Sequence, residues 1–417
     1  MKNILTGILV CLFMLTIPIH TEGQKKPYAT LEEAIAAGRF LRGDAGPSNV
    51  KWIENGHKYS FTKRDGRIQE IWTYEPSSDQ EEMIFSTVYH TFPGAGIPFE
   101  YRNFEWTNDY QYILFQTRFN PIWRYSGNSD YYFYSLKDKS LQLICEQAFT
   151  AEVSPDGKRV GYGKDGELYV FEFATGQHTR LTFDAMEHLY NGRFGWAYEE
   201  EFGMVQAWNW SPDSRYIAFW QSDERDVPIY KLTDFSGKHP EYMEIPYPKV
   251  GDKAPEVKIG VVDVKTGHKK WVDIALEGGY IPRIYWTAKK DLLAVLWINR
   301  PQTHFKLFFH DVINGSGKLI TEENSDTWID IYDFWNRKLH FFCFPEKRED
   351  FFFISDRDGY SHIYRFDYDG KLLNQVTKGK WEVIGFEAVD DENEILYYLS
   401  NEVSPLERNL YGIRFNG

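Results

Sequence analysis

The sequence predicts an all-β protein built as a β-propeller. A strand–turn–strand unit with Asp-Gly or Asp-Ser turns recurs along the chain, at an irregular spacing of about fifty residues, which is typical of propeller blades made of four-stranded sheets. Aromatic residues make up 18% of the 417 residues, as suits rings packed on pleated sheets. A β-sandwich is the alternative fold, but it would not repeat its turn signature.

The clearest copies of the unit read VSPDGKRVGYGKDGELYVFEF from Val153 and WSPDSRYIAFWQSDE from Trp210. Asp-Gly and Pro-Asp-Gly sequences favour tight turns, and the flanking runs alternate as strands do. More degenerate copies begin at Trp52, Trp106, Trp286, Phe351 and Ala388. Seven copies in succession favour a ring of blades over a single hairpin.

The N-terminus has the pattern of a secretory signal peptide. Lys2 precedes the apolar run Ile4–Ile19, and polar residues follow. The run is short for a membrane span and contains Pro18. We therefore expect residues 1–24 to be removed and the protein to be exported, either to the periplasm or out of the cell.

The rest of the chain divides into an arm and a propeller. Residues 25–49 are predicted to form a helical arm, because Leu31–Leu41 has the apolar spacing of an amphipathic helix. The propeller is expected over residues 50–417. Residues 226–257, which are rich in proline, interrupt the repeat and predict a long excursion from one blade, which could join two copies of the chain as a homodimer.

Composition excludes several functions. The net charge is −14 without a basic block, so no nucleic-acid partner is expected. Cys145 and Cys343 are the only cysteines after the signal peptide; they could form one bridge or remain two buried thiols, but not a disulfide framework. Scattered histidines and the lack of a phosphate or dinucleotide motif predict no metal and no cofactor.

The segment Arg193–Trp210 is the most distinctive part of the chain. It carries the adjacent carboxylates Glu199, Glu200 and Glu201 within an aromatic frame of Phe194, Trp196, Tyr198, Phe202, Trp208 and Trp210. An isolated run of glutamates usually marks a solvated surface. Here, like charges repel one another and apolar neighbours raise the cost of ionising them, so we expect a cationic partner.

Several motifs occur together in a characteristic order. They are WAYEEE (Trp196–Glu201), WSPDS, Asp226-Val227-Pro228, IPYPKVG, GKWEVIGFEA (Gly379–Ala388) and ERNLYGI (Glu407–Ile413). With them, the chain from about Tyr28 to its end resembles the N-terminal β-propeller of the dipeptidyl peptidase IV family, within the prolyl oligopeptidase group of serine peptidases. The resemblance implies an eight-bladed ring whose last blade is incomplete or missing here.

The resemblance also implies site residues. Glu200 and Glu201 correspond to the pair that binds the free α-amino group of a peptide substrate, which has three donors for two carboxylates. Arg124, in Trp123-Arg124-Tyr125, corresponds to an arginine that reaches the first substrate carbonyl. Glu199 is expected to support the site, as are three aromatic residues: Trp123, Trp196 and Tyr198.

The sequence departs from the family pattern in its chemistry. It contains no G-x-S-x-G nucleophile elbow; the nearest string, Asn314–Gly317, falls in a turn between strands. We therefore expect no catalytic residue here and a separate, absent α/β-hydrolase domain. An Arg-Phe-Arg stretch that lines the family's pocket has two unaligned candidates, Trp335–Lys338 and Glu346–Arg348.

Three functions remain open at this point. The chain could be the substrate-selecting propeller of a peptidase that releases N-terminal Xaa-Pro or Xaa-Ala dipeptides. It could instead be a secreted module that binds peptides or proteins without cleaving them. A purely scaffolding propeller is the third possibility, and Glu200, Glu201 and Arg124 argue against it.

Overall fold

The computed structural model describes residues 28–40, 46–273, 278–331 and 341–417. The predicted signal peptide and the stretch Trp335–Lys338 lie outside the described residues. Helix α1 (Leu31–Phe40) forms where the amphipathic spacing predicts it, although Leu31 and Ile35 on its apolar face are exposed. Among the described helices, none has the length and apolarity needed to cross a bilayer.

The predicted all-β propeller is confirmed. In the described residues, antiparallel strands form seven blade sheets, each made from consecutive stretches of the chain. The first sheet contains β1 (Ser48–Ile53), β2 (Lys58–Asp65), β3 (Ile68–Glu75) and β4 (Gln80–Ser86). The second contains β5 (Asn103–Trp106), β6 (Tyr112–Pro121), β7 (Gly127–Ser135) and β8 (Ser140–Ala148). The third contains β9 (Thr150–Val153), β10 (Arg159–Lys164), β11 (Glu167–Glu172) and β12 (Gln177–Arg180).

The fourth sheet is interrupted by the helix that carries the glutamates and by the excursion. It contains β13 (Leu189–Asn191), β14 (Trp208–Trp210), β15 (Tyr216–Asp223), β18 (Glu256–Asp263) and β19 (Lys269–Trp271), with helix α2 (Trp196–Phe202) between β13 and β14. Between β15 and β18, the excursion forms a separate hairpin of β16 (Ile229–Asp234) and β17 (Glu241–Pro246).

The last three sheets follow the same meander. The fifth contains β20 (Tyr280–Trp286), β21 (Leu292–Ile298), β22 (His304–Asp311) and β23 (Gly317–Asn324). The sixth contains β24 (Phe342–Cys343), β25 (Asp350–Ser355), β26 (His362–Asp367) and β27 (Leu372–Gln375). The seventh has three strands, β28 (Val383–Asp390), β29 (Ile395–Ser400) and β30 (Asn409–Arg414). The described residues thus form seven blade sheets, and the resemblance implies an eight-bladed ring whose last blade is incomplete or missing.

One turn recurs at the same place in successive blades, as the sequence repeat predicts. In Ser154–Gly157, Ser211–Ser214 and Thr107–Tyr110, the first hydroxyl donates to the Asp two residues later, at 2.6–2.7 Å. The fourth residue donates its N–H to the first carbonyl at 2.8 Å and has a left-handed φ, of 71°, 58° and 54° respectively. The Asp side chain therefore sets the turn by a local hydrogen bond.

Aromatic side chains fill the spaces between blades. Separate apolar clusters join the first sheet to the second, the second to the third, and the third to the fourth. Tryptophan N–H groups cross the same boundaries: Trp106 donates to Ser60 Oγ at 2.8 Å and Trp208 to Thr150 Oγ1 at 2.9 Å. The high aromatic content thus serves contacts between sheets, where a buried tryptophan also requires a partner for its indole N–H.

Candidate functional site

Helix α2 carries the three glutamates. It begins after Gly195, which has an extended backbone and no side chain to cap the helix, and it ends at Gly203 with a left-handed φ of 63°. Both Gly203 and Met204 donate their N–H groups to the carbonyl of Tyr198, the latter at 3.3 Å. This is the glycine-terminated C-cap that stops a helix after two turns.

Aromatic residues fix this helix to the blades. Tyr198 is buried, stacks on Phe194 at 4.8 Å, and accepts a hydrogen bond from the Ile281 N–H at 3.2 Å. Burial raises the pKa of Tyr198 above its usual range. Trp196 stacks on Tyr247 of the excursion at 4.1 Å. The helix is therefore held between the fifth sheet and the excursion.

Glu199 is buried and ties the helix to a loop of the second blade. Only 1% of its surface is exposed. Its Oε1 accepts hydrogen bonds from the backbone N–H groups of Tyr125 and Ser126, at 2.7 and 3.1 Å. Trp123, in the same loop, is half-buried and donates its N–H to the Ser126 carbonyl at 3.3 Å. Glu199 thus holds the loop on which Arg124 stands.

Arg124 and Glu200 form an ion pair across 76 residues of sequence. The Arg124 Nε–H donates to both carboxylate oxygens of Glu200, at 3.0 and 3.2 Å. This hydrogen bond raises the pKa of Arg124. The Arg124 side chain is 59% exposed and that of Glu200 is 15% exposed, so the pair lies at the surface with the arginine facing solvent.

Glu201 is exposed and lines a cavity of about 610 Å³. Trp196, Tyr247 and Tyr280 form its aromatic walls, and Arg300 also reaches it. Within the described residues, no hydrogen bond or ion pair joins Glu201 to Arg124. The structure therefore brings Arg124 and Glu200 into contact, whereas Glu201, the next residue of the helix, faces the cavity.

The second basic candidate from the sequence is engaged elsewhere. Lys347 pairs with Glu392 at 3.0 Å, and Arg348 binds Asp350 and Glu394. These contacts join the sixth and seventh sheets. The other candidate, Trp335–Lys338, falls outside the described residues. In the part of the chain that the structure describes, no group of three or more His, Cys, Asp or Glu is arranged to hold a metal ion.

Sequence reasoning missed Glu224, which lies directly behind helix α2. It is 3% exposed and accepts a hydrogen bond from the Gly195 N–H. Burial raises its pKa to about 7, which the charge of Arg193 only partly offsets. Arg193 itself lies between the rings of Phe149 and Tyr190, at 4.7 and 4.9 Å. The only signal in the sequence was Gly195, since a glycine before a helix leaves its N-cap without a side chain.

Comparison with known proteins adds to this geometry. The sequence model of the dipeptidyl peptidase IV (DPP IV) N-terminal region matches residues 107–417. The chain belongs to this family. Dipeptidyl peptidase 4 of Felis catus is 31% identical over 400 residues, a match that covers 88% of this chain and 50% of the feline protein. Dipeptidyl peptidase 4 of Sus scrofa is 30% identical over 345 residues, or 74% of this chain and 44% of the porcine protein.

A solved structure supports the same assignment. The crystal structure of Porphyromonas gingivalis dipeptidyl peptidase 4 matches with a TM-score of 0.82 at 29% identity, covering 94% of this chain and 55% of that one. The chain thus spans about half the length of its DPP IV relatives. Its described residues correspond to the propeller region of the family.

Proposed function

We propose that the chain is the substrate-selecting propeller of an exported, DPP IV-type serine exopeptidase, and that Glu200, Glu201 and Arg124 bind the free N-terminus of peptides. The observation that carries the proposal is the Arg124–Glu200 ion pair beside an exposed Glu201. Two adjacent carboxylates with one fixed cation retain a negative charge, and a substrate ammonium would neutralise it.

Such a site would fix the distance between the N-terminus of a bound peptide and the peptide bond that is cleaved. The ammonium group would lie between Glu200 and Glu201, which offer acceptors for its three N–H donors. Arg124 uses Nε on Glu200, and its planar fork has further N–H groups for the carbonyl of the first residue. Fixing the chain end in this way places the second peptide bond at a constant distance. A hydrolase domain at that distance would release N-terminal dipeptides, with Xaa-Pro and Xaa-Ala as the expected substrates.

The test compares a peptide that has a free N-terminus with its acetylated form. The 417-residue chain is titrated with Ala-Pro-Ala and Nα-acetyl-Ala-Pro-Ala, and binding is followed by ligand-observed NMR. The free peptide should bind and the acetylated one should not, because acetylation removes the charge. Glu201→Gln should weaken binding of the free peptide by about tenfold to a hundredfold, the contribution of a hydrogen bond to a charged group.

A matched control is available in the same segment. Glu187 is also a glutamate, its side chain is 89% exposed, and it contacts only His188 at 3.9 Å among the described ion pairs. Glu187→Gln removes the same charge and should leave peptide binding unchanged. Equal binding of the free and acetylated peptides by the wild-type chain would refute the proposed function.

We also infer that the excursion joins two copies of the chain. Its hairpin of β16 and β17 leaves large apolar side chains in solvent, among them Phe235 at 75%, Tyr242 at 66% and Met243 at 52% exposure. Large apolar side chains exposed on one hairpin favour an interaction site there. Sedimentation of the wild-type chain should show a dimer, and Tyr242→Lys together with Met243→Lys should give a monomer. A wild-type monomer at micromolar concentration would contradict the inference.

A further inference from the structure

We propose that Glu224 is a positioning residue for the amine site: its carboxyl group accepts the N–H of the N-cap residue Gly195, and so fixes the direction of helix α2. The proposal rests on the proposed function, because it is through helix α2 that Glu224 would act on Glu200 and Glu201. Glu224 itself is not expected to touch the peptide.

The first support is the position of the carboxyl group. A Cβ atom placed on Gly195 would lie 2.1 and 2.2 Å from Oε1 and Oε2 of Glu224, so Glu224 occupies the space that a side chain at position 195 would need. Gly195 is the N-cap residue, with φ −90° and ψ −168°, and no side chain caps the helix. Such a start leaves backbone N–H groups that require partners.

The second support is the hydrogen bond that Glu224 accepts. In a capping box, the third residue of a helix supplies a carboxylate to the N-cap N–H. The third residue here is Tyr198, which is buried against Phe194 and cannot do so. Glu224, directly after β15, accepts that N–H instead. The helix start is therefore completed by tertiary structure.

The third support is the rigidity of Glu224. It directly follows β15, its N–H donates to the His188 carbonyl at 2.7 Å, and its carbonyl accepts from Val227 at 3.0 Å. The Ser222 hydroxyl also donates to Oε1, at 3.4 Å. With its backbone bound on both sides and its side chain buried, the carboxyl group can hold the helix in one place.

The charges around Glu224 make the contact sensitive to pH. Arg193, Asp223 and Tyr190 are the charged or titratable groups that act on it electrostatically. Burial raises the pKa of Glu224 to about 7. The protonated acid and the carboxylate can both accept the Gly195 N–H, but a bond to the charged form is stronger. Because the pKa is raised, desolvation outweighs this gain. Ionisation above pH 7 therefore opposes burial of the carboxyl group, and helix α2 should be held less firmly there.

The first experiment uses variants of the full chain with Ala-Pro-Ala and its Nα-acetyl form as probes. Glu224→Ala removes the acceptor, and Gly195→Ala displaces it without backbone strain. Each should weaken binding of the free peptide by about tenfold, in the range measured for lost helix caps, with no gain for the acetylated peptide. Glu187→Ala, at a glutamate whose side chain is 89% exposed, is the matched control and should bind as the wild type does.

The second experiment separates positioning from general stability. Glu224→Gln keeps an acceptor but cannot ionise, so it resembles the protonated acid. The affinity ratio of wild type to Glu224→Gln should be near one at pH 6 and fall about threefold by pH 8.5, because ionisation of the buried carboxyl group opposes the arrangement that holds the helix. The titration of the peptide amine cancels in this ratio because both proteins bind the same peptide.

The outcomes are distinguishable. A wild-type chain that binds the free and acetylated peptides equally overturns the proposed function, and this inference falls with it. A selective wild type whose folded Glu224→Ala and Gly195→Ala variants bind equally well overturns only the role of Glu224. Should Glu224→Ala fail to fold, the pH ratio decides, and a flat ratio refutes the proposal.

Discussion

Glu199→Ala should release the loop that carries Arg124. The substitution removes one oxygen that accepts from two backbone N–H groups, those of Tyr125 and Ser126. Hydrogen bonds to a charged group contribute about 1.5–3 kcal/mol each, so opening of this loop should become easier by about 3 kcal/mol or more. An opening free energy lower by about 3 kcal/mol means amide exchange about a hundredfold faster at these two positions.

Hydrogen–deuterium exchange of the peptide that spans residues 123–126 measures this directly. Glu199→Gln retains an acceptor oxygen and should accelerate exchange only about fivefold, since it loses charge assistance alone. Glu201→Ala is the matched control, because Glu201 is the exposed neighbour and makes no hydrogen bond to this loop. The same rate for Glu199→Ala and wild type would refute the view that Glu199 supports the site through its backbone contacts.

Three further outcomes are expected. Burial raises the pKa of Glu224 from 4.5 to about 7, so the folded chain keeps a proton that the unfolded chain releases. The free energy of unfolding should therefore fall by about 3 kcal/mol as pH rises from 4.5 to 7. The thermal midpoint of Glu224→Gln should rise relative to that of wild type over this window. Gly203→Ala should cost about 1–2 kcal/mol, because φ is 63° there, and a midpoint equal to wild type would contradict the cap. Asp350→Ala should cost about 3–5 kcal/mol in denaturant unfolding, because it removes the buried carboxylate that pairs with Arg365 and leaves Arg348 with Glu394 alone. Asp369→Ala, at an exposed ion pair, should cost under about 1 kcal/mol.

Much of the fold followed from local chemistry. The turn at Ser154–Gly157 and its equivalents form through hydrogen bonds within four residues, so their sequence is sufficient to predict them. The alternation of side chains between the two faces of a strand likewise depends only on residues that are close in sequence. The helix within Leu31–Leu41 was predicted from spacing alone, and the described residues contain it as Leu31–Phe40. The resemblance implied an eight-bladed ring with its last blade incomplete or missing, and the described residues form seven blade sheets, the last of them with three strands.

The candidate site was likewise predicted in part from the sequence and decided in part by the tertiary structure. The aromatic frame around Glu199, Glu200 and Glu201 indicated in the sequence that these carboxylates need a cation, and the family motif singled out Arg124 as the residue to examine. Only the tertiary structure decided that Arg124 forms an ion pair with Glu200, that Glu199 accepts hydrogen bonds from backbone N–H groups, and that Glu201 faces a cavity. The role of Glu224 could not be predicted from the sequence, because it depends on contact with Gly195. The two residues lie 29 positions apart and come together only where β15 ends beside helix α2. Local patterns determine which strands and turns form, whereas contacts between distant segments depend on how the sheets pack around the ring.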